Sequence, residues 1–255
     1  MSTNNEIKLK KLLDLHVPGT IILASWLEAN GFSYDLQQRY RKSGWLESVG
    51  VGAFKRPNET VTWQGALYSV QQQAKLPVYI GGLTALSMLG FSHYIRTGAE
   101  SVYLFSDLKT RLPAWFKQYS WRESINHIRT SFLPMGVGMD NYNEKQFSLT
   151  IASPERAIFE CLYLTPEKQD LMETYQIMSG LVNLRPDMIQ SLLEGCNSVK
   201  VKRLFLFMSK KTNHQWAQFL DLSSVDLGQG DRSIVKNGVY DPKFRITIPK
   251  ELAQL

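Results

Sequence analysis

The chain has 255 residues, of which 44% are hydrophobic and 20% charged, with a formal net charge of +6 at pH 7. This composition is typical of one large or two modest globular domains and argues against intrinsic disorder. No apolar run approaches the roughly 18 residues of a membrane span, and the N-terminus lacks a secretory signal. We therefore expect a soluble cytoplasmic protein in which Cys161 and Cys196 are buried thiols.

The positive charge lies mainly in the N-terminal part of the chain. Residues 1–96 contain ten Lys and Arg residues against six Asp and Glu residues. A basic balance suits a nucleic-acid partner, although many basic proteins bind none. The distribution of charge therefore favours a nucleic-acid-binding N-terminal domain without requiring one.

After a first helix over residues 5–16, the stretch 20–56 has the pattern of two helices followed by a hairpin. Apolar residues at helical spacing follow Thr20, which is a candidate cap, and Asn30-Gly31 tolerates the left-handed backbone of a sharp turn. A second helix follows Ser33, in which Leu36 and Tyr40 face inward and the polar residues face outward. Gly44 ends this second helix.

Two short strands, residues 45–49 and 53–56, follow this helix and are joined through Gly50-Val51-Gly52. Helix, turn, helix and hairpin in this order are the pattern of a winged helix-turn-helix. In such domains the second helix enters the major groove of DNA. The stretch therefore predicts a DNA-binding domain.

The polar side of the second helix offers the chemistry of base and phosphate recognition. Gln binds adenine edges with its amide, Arg forks onto guanine, and Lys and Arg neutralise phosphates. We expect base reading by Gln37, Gln38 and Arg41, with phosphate contacts by Arg39, Lys42, Lys55 and Arg56, the last two at the hairpin tip; Ser33 and Tyr34 complete the predicted set at the helix start. The alternative is that these are solvated charges on an ordinary small domain.

The remainder of the chain alternates predicted strands and helices. We expect a domain boundary near residue 95 and, after it, a mixed α/β domain that begins with a small antiparallel sheet. Helix starts are clearest at Ser153-Pro154-Glu155, where a cap, a proline and an acid stand in order. The predicted elements are strands at 101–105, 124–132, 147–151 and 245–248, and helices at 62–74, 83–89, 112–119, 153–162, 168–181, 186–195, 198–211 and 214–220.

The helix predicted over residues 198–211 contains cations and apolar residues but no acid. Its apolar residues would face the core while the cations ring its edge. One interpretation is a solvated basic edge. The other is a surface for RNA, DNA or an acidic partner, formed by Lys200, Lys202 and Arg203 and extended by Arg232 and Lys236 if the tail folds back.

Motifs of catalysis are missing from the sequence. The four histidines are scattered, the two cysteines form no CxxC pair, and no Walker sequence, nucleophile elbow or complete GxGxxG occurs. We therefore expect no enzyme, no metal site and no cofactor.

Several short segments in order along the chain resemble the AbiEi family, the antitoxins of type IV abortive-infection toxin–antitoxin systems. The likeness covers nearly the whole chain. It is carried by Gly44-Trp45-Leu46, Gly50-Val51-Gly52-Ala53-Phe54, Trp63, Gly65-Ala66-Leu67, Gly81-Gly82-Leu83-Thr84-Ala85-Leu86, Gly90, Ser153-Pro154-Glu155-Arg156-Ala157, Lys200-Val201-Lys202-Arg203-Leu204, Gly228-Gln229-Gly230-Asp231-Arg232 and Gly238-Val239-Tyr240.

The resemblance implies a phage-defence protein whose N-terminal winged helix binds inverted repeats in its own promoter and represses the operon. It implies a C-terminal domain that opposes a cognate nucleotidyltransferase toxin, without a stable complex. A lone winged helix covers one half-site, so an inverted repeat takes two copies. No dimerisation helix is evident, and we expect monomers to load cooperatively.

Together these observations predict an α+β protein with a DNA-binding domain over residues 1–95 and an antitoxin domain over 96–255. The alternative function is a protein-interaction module, whose winged helix and basic C-terminal patch bind a protein or RNA partner.

Overall fold

The computed structural model describes residues 2–91 and 101–254. Helices and strands are mixed within these ranges, so the predicted α+β class is confirmed. The predicted domain boundary near residue 95 lies outside the described residues. The elements up to residue 91 are α1 (Ser2–Leu15), β1 (Ile22–Leu23), α2 (Ala24–Ala29), α3 (Tyr34–Lys42), β2 (Glu47–Gly50), β3 (Ala53–Lys55), α4 (Trp63–Gln72), β4 (Tyr79–Ile80) and α5 (Gly82–Met88).

The second described range contains strands first and mainly helices afterwards. Its elements are β5 (Ser101–Ser106), α6 (Ala114–Gln118), β6 (Ser124–Arg129), β7 (Met139–Asn143), β8 (Ser148–Ala152), α7 (Pro154–Leu164), α8 (Leu171–Gly180), α9 (Pro186–Gly195), α10 (Val199–Thr212), β9 (Arg232–Ser233), β10 (Val239–Asp241), β11 (Ile246–Ile248) and α11 (Lys250–Gln254). Two short 3-10 helices, Gln215–Phe219 and Leu222–Ser224, lie between α10 and β9.

The first sheet has the strand order β1-β3-β2 and is antiparallel, with Ile22 opposite Phe54 and Glu47 opposite Lys55. Helices α1, α2 and α3 contribute apolar side chains to a cluster that also includes residues of this sheet. Burying each large side chain of this kind stabilises the fold by about 1.5–3 kcal/mol. The cluster consists of Leu12, Ile22, Leu27, Phe32, Leu36, Tyr40, Leu46 and Phe54.

The helix predicted to follow Thr20 begins later, at Ala24. Residues Ile22 and Leu23 form β1 instead, because their backbones pair with Phe54 and Ala53 of the hairpin. The Ala24 N–H donates to the Gly52 carbonyl at 2.9 Å. This pairing joins residues about thirty positions apart, and a local helical period does not reveal it.

The largest sheet has the strand order β6-β5-β4-β8-β7. Strands β5 and β6 are parallel, in register from Ser101 opposite Ser124 to Ser106 opposite Arg129, and β4 is parallel to β8. The expectation of a small antiparallel sheet is wrong for these strands. The connection over residues 107–123 carries α6, and a crossover of this length permits parallel pairing. A third sheet, in the order β10-β11-β9, pairs β10 antiparallel and β9 parallel to β11.

The chain divides into two compact units. Unit 1 consists of Met1–Tyr79, Gly98–Arg129 and Asn141–Thr150, and unit 2 of Ile80–Thr97, Thr130–Asp140 and Ile151–Leu255.

The centre of unit 2 is α7, which contains a buried ion pair. Arg156 Nε donates to Glu160 Oε1 at 2.9 Å, and both side chains are almost fully buried. Arg156 Nη1 also donates to the carbonyls of Pro134 and Val137, both at 2.8 Å, while Glu160 Oε2 accepts the Gly82 N–H at 2.8 Å. Through these hydrogen bonds the ion pair connects α5 and the loop before β7 to α7. Removing either partner would leave the other as an unpaired buried charge, which is strongly destabilising.

Candidate nucleic-acid interface

The turn between α2 and α3 sets the direction of the second helix. Gly31 has φ +87°, the left-handed conformation that favours glycine, and Phe32 follows it into the core. Ser33 stands at the N-cap of α3 but makes no side-chain cap bond. Leu36 and Tyr40 pack inward with Phe32, so the opposite side of α3 faces solvent.

The outer face of α3 presents polar and cationic side chains. Tyr34 is 69% exposed and Gln38 is partly exposed; Arg39, Arg41 and Lys42 are exposed. Arg41 Nη1 donates to Gln38 Oε1 at 3.2 Å, which holds an amide and a guanidinium side by side. Among the described residues, none of the three cations forms an ion pair with a carboxylate. Their donors are therefore available to a partner.

Gln37 does not lie on this outer face, contrary to the prediction. It is only 4% exposed, and its Nε2 donates to the carbonyls of Phe32 at 2.9 Å and Ala24 at 3.2 Å. Gln37 lies next to Leu36 on the inward side of α3, where its amide donates to one carbonyl at the start of α2 and one in the α2–α3 turn. Its role is structural, so it cannot read bases.

The hairpin tip is apolar. Val51 is 95% exposed, and Gly52 turns the chain with φ +71°. The prediction that Lys55 and Arg56 lie at the tip is wrong, since Lys55 pairs across the base of the hairpin. Lys55 Nζ lies 3.5 Å from Glu47 Oε1 and donates to the Glu59 carbonyl at 3.4 Å.

Arg56 follows β3 and is partly buried. Its Nε is buried and has no hydrogen-bond partner among the described residues. Of the predicted phosphate contacts, Arg39 and Lys42 on α3 are therefore better exposed than the two hairpin cations.

The predicted C-terminal basic surface is largely interior. Lys200 Nζ donates to the carbonyls of Tyr163 at 2.8 Å and Thr165 at 2.6 Å, and burial lowers the pKa of Lys200. Lys202 is 5% exposed. Arg232 is exposed, as predicted.

Arg203 is 2% exposed and binds backbone carbonyls with its whole guanidinium. Burial lowers its pKa, and the nearby Arg232 and Arg245 lower it further. The tail folds over this side of α10 and brings acceptors that the helical pattern does not reveal. The acceptors are the carbonyls of Leu227 at 2.8 Å, Gly228 at 2.9 Å, Gly230 at 2.6 Å and Arg245 at 3.1 Å.

Charge is divided unequally between the two units. Unit 1 contains 15 Lys and Arg residues against 10 Asp and Glu residues, a net charge of +5. Unit 2 contains 14 against 13, a net charge of +1, and its most buried cations bind carbonyls. The unit that contains α3 therefore has the positive charge expected of a protein that binds nucleic acid.

Two family models match the chain and together span most of its length. Residues 5–97 match the model described as a transcriptional regulator, AbiEi antitoxin N-terminal domain. Residues 99–249 match the model described as a transcriptional regulator, AbiEi antitoxin, type IV toxin–antitoxin system. The chain belongs to the AbiEi antitoxin family. The predicted resemblance is confirmed, and the family is one of transcriptional-regulator antitoxins of type IV systems.

A solved structure has the same fold as this AbiEi-family chain. It is the RV2827C protein from Mycobacterium tuberculosis, with a TM-score of 0.61 and 15% identity over 95% of this chain and 90% of that one. A search of curated proteins found no match.

Two further findings concern the described residues only. Within them, no helix of the AbiEi-family chain is long and apolar enough to cross a membrane. No group of three or more His, Cys, Asp or Glu residues in 2–91 and 101–254 is placed to hold a metal ion, and His93 lies outside these ranges.

Sequence reasoning did not single out a set of exposed cations that lies beside the hairpin. They are contributed by residues 107–129, which surround α6, and α6 packs against β2. The segment has five Lys and Arg residues against two acids. A charge count that continued beyond residue 96 would have identified it.

Proposed function

We propose that this AbiEi-family protein acts in the cytoplasm as an autorepressor that binds inverted repeats in its own promoter through α3. The observation that carries the proposal is the outer face of α3, where Gln38, Arg41 and Lys42 lie together, free of carboxylate partners, opposite a firmly packed core. An α-helix with such a face fits the major groove, where Gln and Arg distinguish bases by paired hydrogen bonds.

The side chains divide by their position. We assign base reading to Gln38 and Arg41, which are already hydrogen-bonded to each other and point outward. Arg39 and Lys42 contact phosphates, with Ser33 and Tyr34 at the start of α3 next to the backbone. Gln37 has no part in recognition because its amide is engaged inside the domain.

An inverted repeat takes two copies of this domain, and we propose that monomers load cooperatively. We place the DNA-binding function in residues 1–95 and the antitoxin function in residues 96–255. The antitoxin function opposes a nucleotidyltransferase toxin encoded beside it, without a stable complex. Arg232 and Lys236 are the residues of the predicted antitoxin surface that remain in this proposal, because they are exposed.

The experiment that tests DNA binding is a footprint on the DNA immediately upstream of this reading frame, followed by a salt titration of the affinity. Neutralising several phosphates should give a log–log slope of about −0.9 per phosphate. Protection of an inverted repeat with a steep slope supports the proposal. Protection without sequence preference, or a flat slope, would contradict it.

A rescue assay tests the antitoxin function separately. The nucleotidyltransferase encoded next to this gene is expressed with the wild-type chain, with Arg232→Glu or with the matched control Lys243→Glu, which changes an exposed cation outside the predicted surface. We expect Arg232→Glu to lose rescue of growth while DNA binding stays intact, and Lys243→Glu to keep both. Full rescue by Arg232→Glu would remove Arg232 from the proposal.

A protein partner for the same domain is the second candidate function. It is favoured by an open cleft of about 500 Å³ between α1 and α3, in which Leu9, Leu36, Tyr40 and Trp45 provide apolar walls beside Arg39 and Lys42. Trp45 is 39% exposed. Replacing Trp45 with Ala should leave the salt slope on DNA unchanged, whereas it would abolish a protein contact made through this cleft.

A further inference from the structure

Helix α6 lies directly against the hairpin of unit 1. A Cβ placed on Gly50, at the end of β2, would lie 2.7 Å from the Cβ of Trp115. Trp115 is 5% exposed and Phe116 is fully buried, so both anchor α6 to the domain that carries α3. Helix α6 and its flanking turns therefore lie beside the hairpin.

The surface of this segment is cationic. We call it the α6 flank and define it by five exposed cations that the proposal above does not use: Lys109, Arg111, Lys117, Arg122 and Arg129. Among the described residues, no ion pair involves any of them.

Two acids, Asp107 and Glu123, lie in the same segment as the five cations, so the α6 flank keeps most of its positive charge. The Asp107 carboxylate accepts the backbone N–H groups of Lys109 and Thr110, both at 2.8 Å, and is directed at the turn. Burial lowers the pKa of His127, and the nearby cations Arg129 and Lys117 lower it further. Its Nε2 is 2.8 Å from Ser106 Oγ, so the ring has a local partner.

We propose that the α6 flank is a second phosphate-binding surface, which holds the DNA backbone beyond the hairpin while α3 occupies the major groove. The inference rests on the proposed DNA-binding function. A duplex presents a negative charge about every 1.7 Å along its axis, so several dispersed cations can each contact a phosphate. The α6 flank has this dispersed arrangement on α6, its flanking turns and the end of β6.

The consequence is a longer binding site than one winged helix covers. The extra contacts come from residues 109–129, which follow the part of the chain that the N-terminal family model matches. They carry no base-reading chemistry of the kind on α3, since Lys and Arg on phosphates position the protein without selecting sequence.

The test is a salt titration with a matched pair of full-length variants. Arg111→Gln/Lys117→Gln/Arg122→Gln removes three charges from the α6 flank, and Lys236→Gln/Lys243→Gln/Lys250→Gln removes three exposed charges from unit 2. The probes are a fluorescent duplex of about 40 base pairs, near four helical turns, from the upstream DNA, and a scrambled duplex of equal length. Affinity is measured between about 50 and 200 mM salt.

We expect the α6-flank variant to lose about 2.7 from the magnitude of the log–log slope, equally on both duplexes, and to give a footprint shortened on the hairpin side. The unit 2 variant should keep the wild-type slope and footprint. An unchanged slope in the α6-flank variant, or an equal loss in both variants, would overturn the inference. In that case the α6 flank serves no DNA contact, and an acidic protein or RNA becomes its occupant.

The variant Gln38→Ala/Arg41→Ala separates this inference from the proposed function. If it loses preference for the upstream duplex while the α6-flank variant binds like wild type, only the α6 flank is excluded. If neither variant alters binding to either duplex, the proposed function fails as well. All eight substituted side chains are at least partly exposed, and a thermal unfolding curve for each variant verifies that it is folded.

Discussion

Two adjacent glutamines of α3 should have opposite roles, although the sequence does not distinguish them. Gln37 donates two hydrogen bonds to backbone carbonyls of the α2–α3 region, and Gln38 is turned outward beside Arg41. Gln37→Ala removes both bonds and leaves the Phe32 and Ala24 carbonyls short of a donor. At about 1 kcal/mol for each bond, with a further 1–3 kcal/mol for a buried group left unpaired, the domain should lose about 3–5 kcal/mol of stability.

Gln38→Ala should leave stability nearly unchanged, because the side chain is partly exposed and its amide oxygen accepts a hydrogen bond from the exposed Arg41. It should instead lose about 1–3 kcal/mol of discrimination at one base pair, which corresponds to about 5- to 150-fold. Urea unfolding of both variants, and anisotropy titrations on upstream duplexes with single base-pair changes, measure the two effects. Gln37→Glu is the control that keeps the shape of the side chain but turns an acceptor toward two carbonyls, so it should destabilise at least as much as Ala.

Equal destabilisation by Gln38→Ala and Gln37→Ala would show that the two glutamines do not differ in role. A changed base preference in Gln37→Ala, with the urea midpoint at the wild-type value, would show that Gln37 reads bases instead of supporting the fold.

Three further predictions concern contacts within unit 1 or within unit 2. Arg203→Met should leave the carbonyls of residues 227–230 without a donor and cost at least about 3 kcal/mol by urea unfolding, with wild-type DNA affinity. Burial would raise the pKa of Glu155, but hydrogen bonds from Arg185 outweigh this effect and lower the pKa from 4.5 to about 2. Because the folded-state pKa is depressed, the stability that the Glu155 carboxylate contributes is present above about pH 4.5. This contribution is lost as the pH falls toward 2. Glu155→Gln should therefore be less stable than wild type at pH 7, by about 1–3 kcal/mol after allowing for the half-exposed Arg185, and the two should converge near pH 2 in urea midpoints. Gly50→Ala should cost about 1–3 kcal/mol of stability in thermal unfolding, because the new Cβ would clash with the Cβ of Trp115. It should also reduce the salt slope on DNA, because the α6 flank would separate from the hairpin. A wild-type melting curve would contradict the contact between Gly50 and Trp115.

Local chemistry was sufficient to predict the elements that carry the candidate interface. Helix α3 follows from its apolar spacing, Gly44 ends it with φ +75°, and Gly52 turns the hairpin with φ +71°. The start of α7 also follows the prediction, since the Ser153 side chain accepts the Arg156 N–H behind a first-turn proline. In these cases the signal lies within a few residues of the element that it determines.

The errors arose where distant parts of the chain supply partners. Arg203 was expected at the surface, yet its acceptors lie 24 to 42 residues away in the tail, so a helical pattern does not reveal them. The polar character of Gln37 predicts a position on the outer face of α3. Its amide instead donates to the carbonyls of Ala24 and Phe32 inside the domain. The alternation in β5 and β6 identified strands but contained no information on their parallel direction, which depends on the crossover through α6.

The base preference of Gln38→Ala/Arg41→Ala decides whether the outer face of α3 reads DNA. Wild type should bind the upstream repeat more tightly than a scrambled duplex at the same salt concentration. The double variant should bind both duplexes alike while it retains most of the salt slope. A double variant that still prefers the upstream repeat as strongly as wild type would contradict the account.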